Sequence, residues 1–315
     1  MATGNANFGV DGLLSTTIDH FVRKLEEQAF DKTVLLHLLS EGGIPSQHGN
    51  KIVQPLLYGE TSAKGTFEDT DVFSAPTRDG ITAAEFDWKQ YYASIMISGI
   101  EIAKNSGPEA ILSLLKARLR QAELSIAKDM NAMLFADGTG NGGKDFSGLA
   151  NAIADDNTFG GIDRSDGGNV WWRANEVAQG GALALGEMRT AYNNIMDGVE
   201  KADVIVTTQV IHEAYEALMD DTVRHESTKL GDLGFDNLMF KSAPVVFDRD
   251  CTAQTMYFLN TEYIELVSLD GKWFDVSDWL RPTNQDVQYK NILLYGNLTV
   301  SNSDRQGFLS GITNS

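Results

Sequence analysis

Residues 108–136, PEAILSLLKARLRQAELSIAKDMNAMLFA, are the longest unbroken helical pattern in the chain. Apolar side chains recur every three or four residues, at Ile111, Leu115, Leu119, Ala122, Ile126, Met130 and Met133. That spacing lines one stripe of a helix with about 3.6 residues per turn. Ser106 followed by Glu109 is a capping-box pattern, and Pro108 lies in the first turn, where its missing N–H has no partner to lose. Asp137-Gly138 and the glycines after it end the pattern. Such a helix is about 43 Å long. With one apolar face, it needs a broad surface to lie on, and the rest of the chain must supply it.

The chain can do so. Its 315 residues suffice for two or three domains with a sizeable core. Its net charge of −19 argues against gripping nucleic acid through phosphates, and against docking on an anionic membrane. Self-association is opposed at distance, so it requires good short-range contacts and is helped by salt. A single cysteine, Cys251, excludes an internal disulfide and a multi-cysteine zinc site. MATGNANFGV has neither a basic segment nor an apolar core, so no signal peptide is expected. No run approaches the about 20 apolar residues of a membrane helix. The expectation is a soluble protein of a reducing compartment.

Residues 1–12 read as a loose arm, and Leu14, Ile18, Phe21, Leu25 and Ala29 have helical spacing. A short apolar run, Val34 to Leu39, ends at Glu41-Gly42-Gly43. Lys51 to Tyr58 reads as a strand, with Pro55 demanding an edge or a bulge. Thr82 to Lys89 alternates, with Ala84, Phe86 and Trp88 on one face. The polar stretch between these strands makes a long hairpin projecting from the body, with an acidic tip. A solvated surface loop and an arm reaching a neighbouring subunit are both open readings. Leu185 to Val199 and Val210 to Met219 read as helices, and Asp203 to Thr207 and Ala243 to Phe247 as buried strands. Residues 145–270 therefore suggest an α/β-type domain. Asn291 to Val300 is the strongest late strand.

Several stretches approach catalytic or binding motifs and fall short. Gly138 to Lys144 resembles a phosphate loop, but Asp145 stands where Ser or Thr is needed, and a helix precedes it instead of a strand. His212-Glu213 begins a zinc-protease pattern whose second histidine is replaced by Glu216. Asp163 and Asp166 lack the alternating spacing of a calcium loop and read as turn chemistry. Cys251 has no histidine at a supporting spacing and reads as a buried thiol. Trp171, Trp172, Trp273 and Trp279 read as core first and interface second. No catalytic, cofactor or metal site is assigned. A girder helix, an arm and a projecting hairpin cost entropy to order. They make most sense in a structural, self-associating protein whose neighbouring copies receive them.

The order of these parts resembles the major capsid protein of tailed double-stranded-DNA bacteriophages, the Hong Kong 97-type fold. The stretches carrying the resemblance are ITAAEFDWKQYYASIMISGIEIAKNSGPEAILSLL (81–115), LFADGTGNGGKDFSGLANAI (134–153), FGGIDRSDGGNVWWRA (159–174), ADVIVTTQVIHEAYEALMDD (202–221) and YGNLTVSNSDRQGFLSGI (295–312). The resemblance implies an α+β fold. In it, 1–50 are an N-terminal arm and helix and 51–92 an extended β-hairpin loop. Residues 93–144 are a peripheral domain with its spine helix at 108–136, and 145–270 an axial domain. Residues 271–315 are returning strands of the peripheral domain and a closing segment.

It also implies a non-enzymatic coat protein that assembles with itself into hexamers and pentamers of an icosahedral shell around double-stranded DNA. Virion localisation after assembly in the host cytoplasm follows, with a separate scaffold protein, a portal and a decoration protein as partners. No lysine–asparagine cross-link is assigned. The candidate inter-subunit contacts are Glu60, Lys64, Glu68, Asp69, Asp71, Arg78 and Asp79 on the loop, with Arg118 and Arg120 on the helix. The basic face carrying Lys116, Arg118, Arg120 and Lys128 is expected to meet an acidic neighbour. The alternatives are an encapsulin-like nanocompartment shell of the same fold, and a nucleotide-binding enzyme using the Gly138–Lys144 loop.

Overall fold

The computed structural model describes residues 33–60, 64–73, 80–104, 108–219 and 238–313. The N-terminal arm, the helix expected over 14–29, the cap at Ser106, and Arg78 and Asp79 lie outside the described residues. The apolar run after Thr33 forms helix α1 (Val34–Glu41), which buries Val34, Leu35, Leu36 and Leu39. The short strand β1 (Ser46–Gln47) follows, then the antiparallel pair β2 (Ile52–Leu57) and β3 (Ile81–Phe86), in register from Ile52↔Phe86 to Leu57↔Ile81. Pro55 is tolerated because this ribbon has only two strands, so each is an edge.

After a break at Asp87-Trp88 the chain forms β4 (Lys89–Ser98), which the sequence reading did not single out. Its inner residues Ile95 and Ile97 are buried, but Tyr92 and Met96 on the outer face are apolar too, which blurs the alternation. Ser98 then caps the short helix α2 (Gly99–Lys104). Its Oγ accepts from the Glu101 amide at 3.3 Å, while the Glu101 carboxylate accepts from the Ser98 amide at 3.1 Å.

The long helix is α3 (Pro108–Phe135). Its core-facing stripe is Leu119, Ala122, Ile126, Met130, Leu134 and Phe135, with Met133 only half-buried. Each fully buried side chain of this kind contributes about 1.5–3 kcal/mol. Exposed pairs on a helix surface add only about 0.2–0.5 kcal/mol each, so the stripe holds the helix in place. α3 lies on β4 and shares its core with Ile292, Leu294 and Leu298. It stops where Gly138 adopts φ +75° and Asp137 Oδ1 accepts from the Thr139 amide at 2.9 Å.

A four-residue turn of helix, α4 (Gly140–Gly143), and then α5 (Leu149–Ala152) follow. A Cβ on Gly148 would sit 2.3 Å from the Met133 carbonyl and 2.4 Å from that of Ala136. Only glycine lets α5 start against the end of α3. The two-residue strands β5 (Thr158–Phe159) and β6 (Ile162–Asp163) make a small hairpin, and a 3₁₀ turn, Gly167–Trp172, leads on.

The second half supplies β7 (Asn175–Gly181), α6 (Leu185–Asn194), β8 (Val204–Thr207), α7 (Gln209–Met219), β9 (Leu238–Phe240), β10 (Ala243–Phe247), β11 (Met256–Leu259), β12 (Ile264–Leu269), β13 (Asp275–Val276), β14 (Val287–Val300) and β15 (Gly307–Ile312). α6 ends five residues before the expected Val199. Asp197 and Glu200 bridge across a tight turn in which Gly198 takes φ +60°, and turn chemistry outweighs the remaining apolar spacing.

Two sheets result. One has the order β1-β12-β14-β13, with β4 paired along β14 from Val287↔Ser98 to Gly296↔Lys89. The other has the order β7-β15-β11-β8-β10-β9. In the second sheet Val204, Val206 and Val246 enter the core shared with α3. Ile205, Val245, Met256 and Phe258 enter a second core with Met188 and Tyr192 of α6 and Ile211 and Tyr215 of α7. Both faces are covered, which is why β8 and β10 are near-continuous apolar runs. Sheet membership is not contiguous in sequence. β12 pairs with β14, whereas β15 crosses back to lie between β7 and β11.

Candidate assembly surface

The near-motifs of the sequence have ordinary structural partners. In the glycine stretch, Asn141 Nδ2 donates to Asp145 Oδ1 at 2.7 Å, Lys89 donates to the Gly143 carbonyl, and Lys144 is exposed. Four residues separate Lys144 from the short α5, so no helix N-terminus directly follows the loop. His212 is buried edge-on against Phe247, with ring centroids 5.4 Å apart, and Glu213 accepts from Gln209 at 2.9 Å. Asp163 accepts from the Ser165 amide and hydroxyl, and Asp166 from the Gly168 amide, as turn residues do. Burial, with the nearby charge of Asp248, pushes the Cys251 thiol up to about 12, so little thiolate is present at neutral pH. Among the described residues no group of three His, Cys, Asp or Glu is arranged to hold a metal. Trp172 is wholly buried, and Trp171, Trp273 and Trp279 pack half-buried against the main core.

The hairpin is built differently from a free arm. Its stem is docked on the body: Ala84 and Phe86 are buried, Phe86 meets Phe159 at 4.9 Å, and the Glu85 amide donates to the Gly160 carbonyl at 2.9 Å. Tyr58 stacks on Trp171 at 4.9 Å. Lys51 and Glu85 pair at 3.0 Å on the outer side. Beyond Gly59 and Gly80 the described loop residues are exposed.

There the acidic residues hold local structure. Lys64 pairs with Glu60, and the Glu68 amide donates to Asp71 Oδ2 at 2.9 Å while the Asp71 amide donates back to the Glu68 carbonyl at 3.0 Å. Asp69 is exposed. Among these charges sits an apolar cluster that the sequence reading missed: Phe67 and Phe73, edge to face at 5.0 Å, and Val72, which is 94% exposed. The available signal was two aromatics and a valine inside GTFEDTDVF, a stretch otherwise polar.

On α3, Arg118 is half-buried. Its guanidinium donates to Glu101 at 2.9 Å and to Gln121 at 3.3 Å. The Ser98 amide, and then Arg118, hold the Glu101 carboxyl below its ordinary range. Arg120 and Lys128 are exposed. Among the described residues, none of the loop acids pairs with Arg118 or Arg120 within the chain. The loop and the basic helix face are thus two separate surfaces of one subunit.

No family model and no curated protein matches this sequence. Solved structures do match. The subunit in the Cyanophage A-1(L) capsid asymmetric unit is 19% identical, over 89% of this chain and 93% of that one, with a TM-score of 0.65. The satellite phage P4 procapsid, which includes a size determination protein, matches over 99% and 98% at 10% identity with a TM-score of 0.55. The holo-SrpI encapsulin complex from Synechococcus elongatus PCC 7942 matches over 73% and 76% at 10% identity with a TM-score of 0.53. The chain has the α+β fold of phage capsid subunits, a fold that this encapsulin shares.

Proposed function

We propose that this chain is a phage major capsid protein, a non-enzymatic subunit that assembles with its own copies into hexamers and pentamers of an icosahedral shell enclosing double-stranded DNA. The observation that carries the reading is the exposed Phe67–Val72–Phe73 cluster, held on a hairpin loop whose stem is fixed to the body. Exposed apolar clusters of this kind belong to interfaces, and a subunit with its own core has no internal use for this one. The fold, matched over most of the chain by capsid subunits, supports the same conclusion. The coverage of the phage structures exceeds that of the encapsulin, which favours a phage shell over a nanocompartment.

In this reading α3 is the spine helix of a peripheral domain that contains the β4–β14 sheet. The six-stranded sheet with α6 and α7 is the axial domain, and the β2–β3 hairpin is the extended loop that reaches a neighbour. The charge of −19 keeps packaged DNA from adhering to the shell wall, since phosphate binding needs Lys and Arg clusters. A separate scaffold, a portal and a decoration protein complete the proposed set of partners, and the virion is the proposed location. The test is electron microscopy of the purified protein across a range of salt. Closed shells, hexamers or pentamers are expected, favoured by salt that screens subunit repulsion beyond a Debye length of about 10 Å at 0.1 M. A strictly monomeric species at high concentration and high salt refutes the reading.

A further inference from the structure

A cleft of about 820 Å³ opens between the C-terminal end of α1, the turn before β8, the β9–β10 turn and the start of β12. That volume is in the range of ligand and peptide sites. Its apolar lining includes Leu39, Met239, Pro244 and Ile264, and Val199 stands at it 93% exposed. Its charged lining is one-sided: Glu41, Glu200, Asp203, Glu262 and Glu265 against the single Lys201. Glu200 is already matched by Arg305 at 3.0 Å, and Asp203 is bonded to Thr261. Glu262 is exposed and Glu265 half-buried, and among the described residues neither pairs with a Lys, Arg or His side chain. The C-terminal end of α1 adds the negative pole of a helix to the same side.

We propose that this cleft docks a positively charged, amphipathic segment of a partner protein, its apolar side chains on the floor and its Lys or Arg side chains at the acidic rim. Charge complementarity selects this occupant over the two others within reach. Residues 1–32 of the chain itself carry five acids (Asp11, Asp19, Glu26, Glu27, Asp31) against three bases, so they share the sign of the rim. A second copy carries its basic residues on the face of a packed helix, α3, and not on a free segment that could enter a cleft, and its net charge of −19 opposes approach at distance. The cleft is separate from the hairpin loop, so the inference stands independently of shell closure and is read on the unassembled subunit.

The experiment is a fluorescence-anisotropy titration of the full chain with a short labelled Lys/Leu peptide patterned as an amphipathic helix, and with a Glu/Leu twin. The Lys/Leu peptide binds and the twin does not. Glu262→Lys with Glu265→Lys weakens binding by at least about tenfold. Asp69→Lys with Asp71→Lys, the same charge change placed on the hairpin loop, leaves it within about twofold of wild type. Val199→Ser, at an exposed position that leaves the fold intact, weakens binding several-fold. Circular dichroism and urea midpoints confirm that every variant is folded. Equal weakening by both reversals means a diffuse field and overturns the proposal. So does equal affinity for the twin. Absence of binding, which means the cleft is filled by the chain itself or takes no peptide, overturns it as well.

Discussion

Arg164 is the residue whose removal tests the packing of the first core most sharply. It is wholly buried, and among the described residues it pairs with no carboxylate. Its Nε donates to the Trp172 carbonyl at 2.8 Å. One terminal nitrogen donates to the Asn151 carbonyl at 3.1 Å and to Asn157 Oδ1 at 3.0 Å, and the other to the Ala152 carbonyl and Ser303 Oγ, both at 2.8 Å. Phe159 and Trp172 flank the guanidinium at 4.9 and 5.6 Å. All five N–H groups are used, and they join α5, the β5–β6 hairpin, the 3₁₀ turn and the segment after β14. Burial lowers its pKa to about 10, opposed only by the charge of Asp155.

Arg164→Met keeps the length and removes the donors. The Asn151 carbonyl retains its bond from Asn157 at 2.8 Å. The Ala152 and Trp172 carbonyls and Ser303 Oγ lose a charged donor inside the core. Each buried acceptor left without a partner costs about 1–3 kcal/mol, while the desolvation cost of the charge, several kcal/mol, is recovered. Packing loss around the two rings adds to the deficit. The net expectation is a destabilisation of about 3 kcal/mol, and somewhat less for Arg164→Lys, which retains three donors. Equilibrium urea unfolding of the unassembled subunit, followed by tryptophan fluorescence, reads this directly, since Trp171 and Trp172 adjoin the site. A loss below about 1 kcal/mol for Arg164→Met, with unchanged m-value, refutes the view that these donors tie the segments together.

Gly148→Ala places a Cβ against three backbone carbonyls at the end of α3, those of Met133, Leu134 and Ala136, none of which can rotate away. It is expected to cost about 3 kcal/mol or prevent folding, and wild-type thermal stability of that variant rejects the close approach. Phe67→Ser with Phe73→Ser leaves subunit stability within about 0.5 kcal/mol, because both rings are exposed, but abolishes shells in sedimentation and electron microscopy. Normal assembly of that variant removes the loop from the interface. Burial, with the adjacent Asp250 charge, raises the Asp248 pKa, so the folded state holds its proton to higher pH than the unfolded state. Its stabilising contribution is complete below the ordinary value of about 3.9 and is lost as pH rises through the raised value. Asp248→Asn should therefore gain stability relative to wild type at pH 7 more than at pH 4 in urea titrations, and an equal or reversed difference contradicts that assignment. Arg118→Glu with Arg120→Glu breaks only a partly exposed pair with Glu101, so the subunit should stay folded while assembly is impaired. Unaffected shells show that this face meets no acidic neighbour.

Local pattern was enough to read the long helix to within a residue of its end, α7, β8 and β10, since each buries a continuous face whose period is written in consecutive residues. The joint order of these elements carried the resemblance to capsid subunits. Other features depended on surfaces far apart in the chain. β15 lies between β7 and β11 because it completes a sheet begun more than a hundred residues earlier, and nothing in GFLSGI names those neighbours. Arg164 stands in DRSDGG, which reads as an exposed turn. It is buried because carbonyls at 151, 152 and 172 and the hydroxyl at 303 converge on one point. The exposed Phe67 and Phe73 invert the rule from the other side: aromatics that composition assigns to a core pack on each other and stay outside it. Periodicity records what a residue's own element needs. Burial of a charge, and exposure of an aromatic, are decided by which distant segments meet, and only the tertiary structure holds that information.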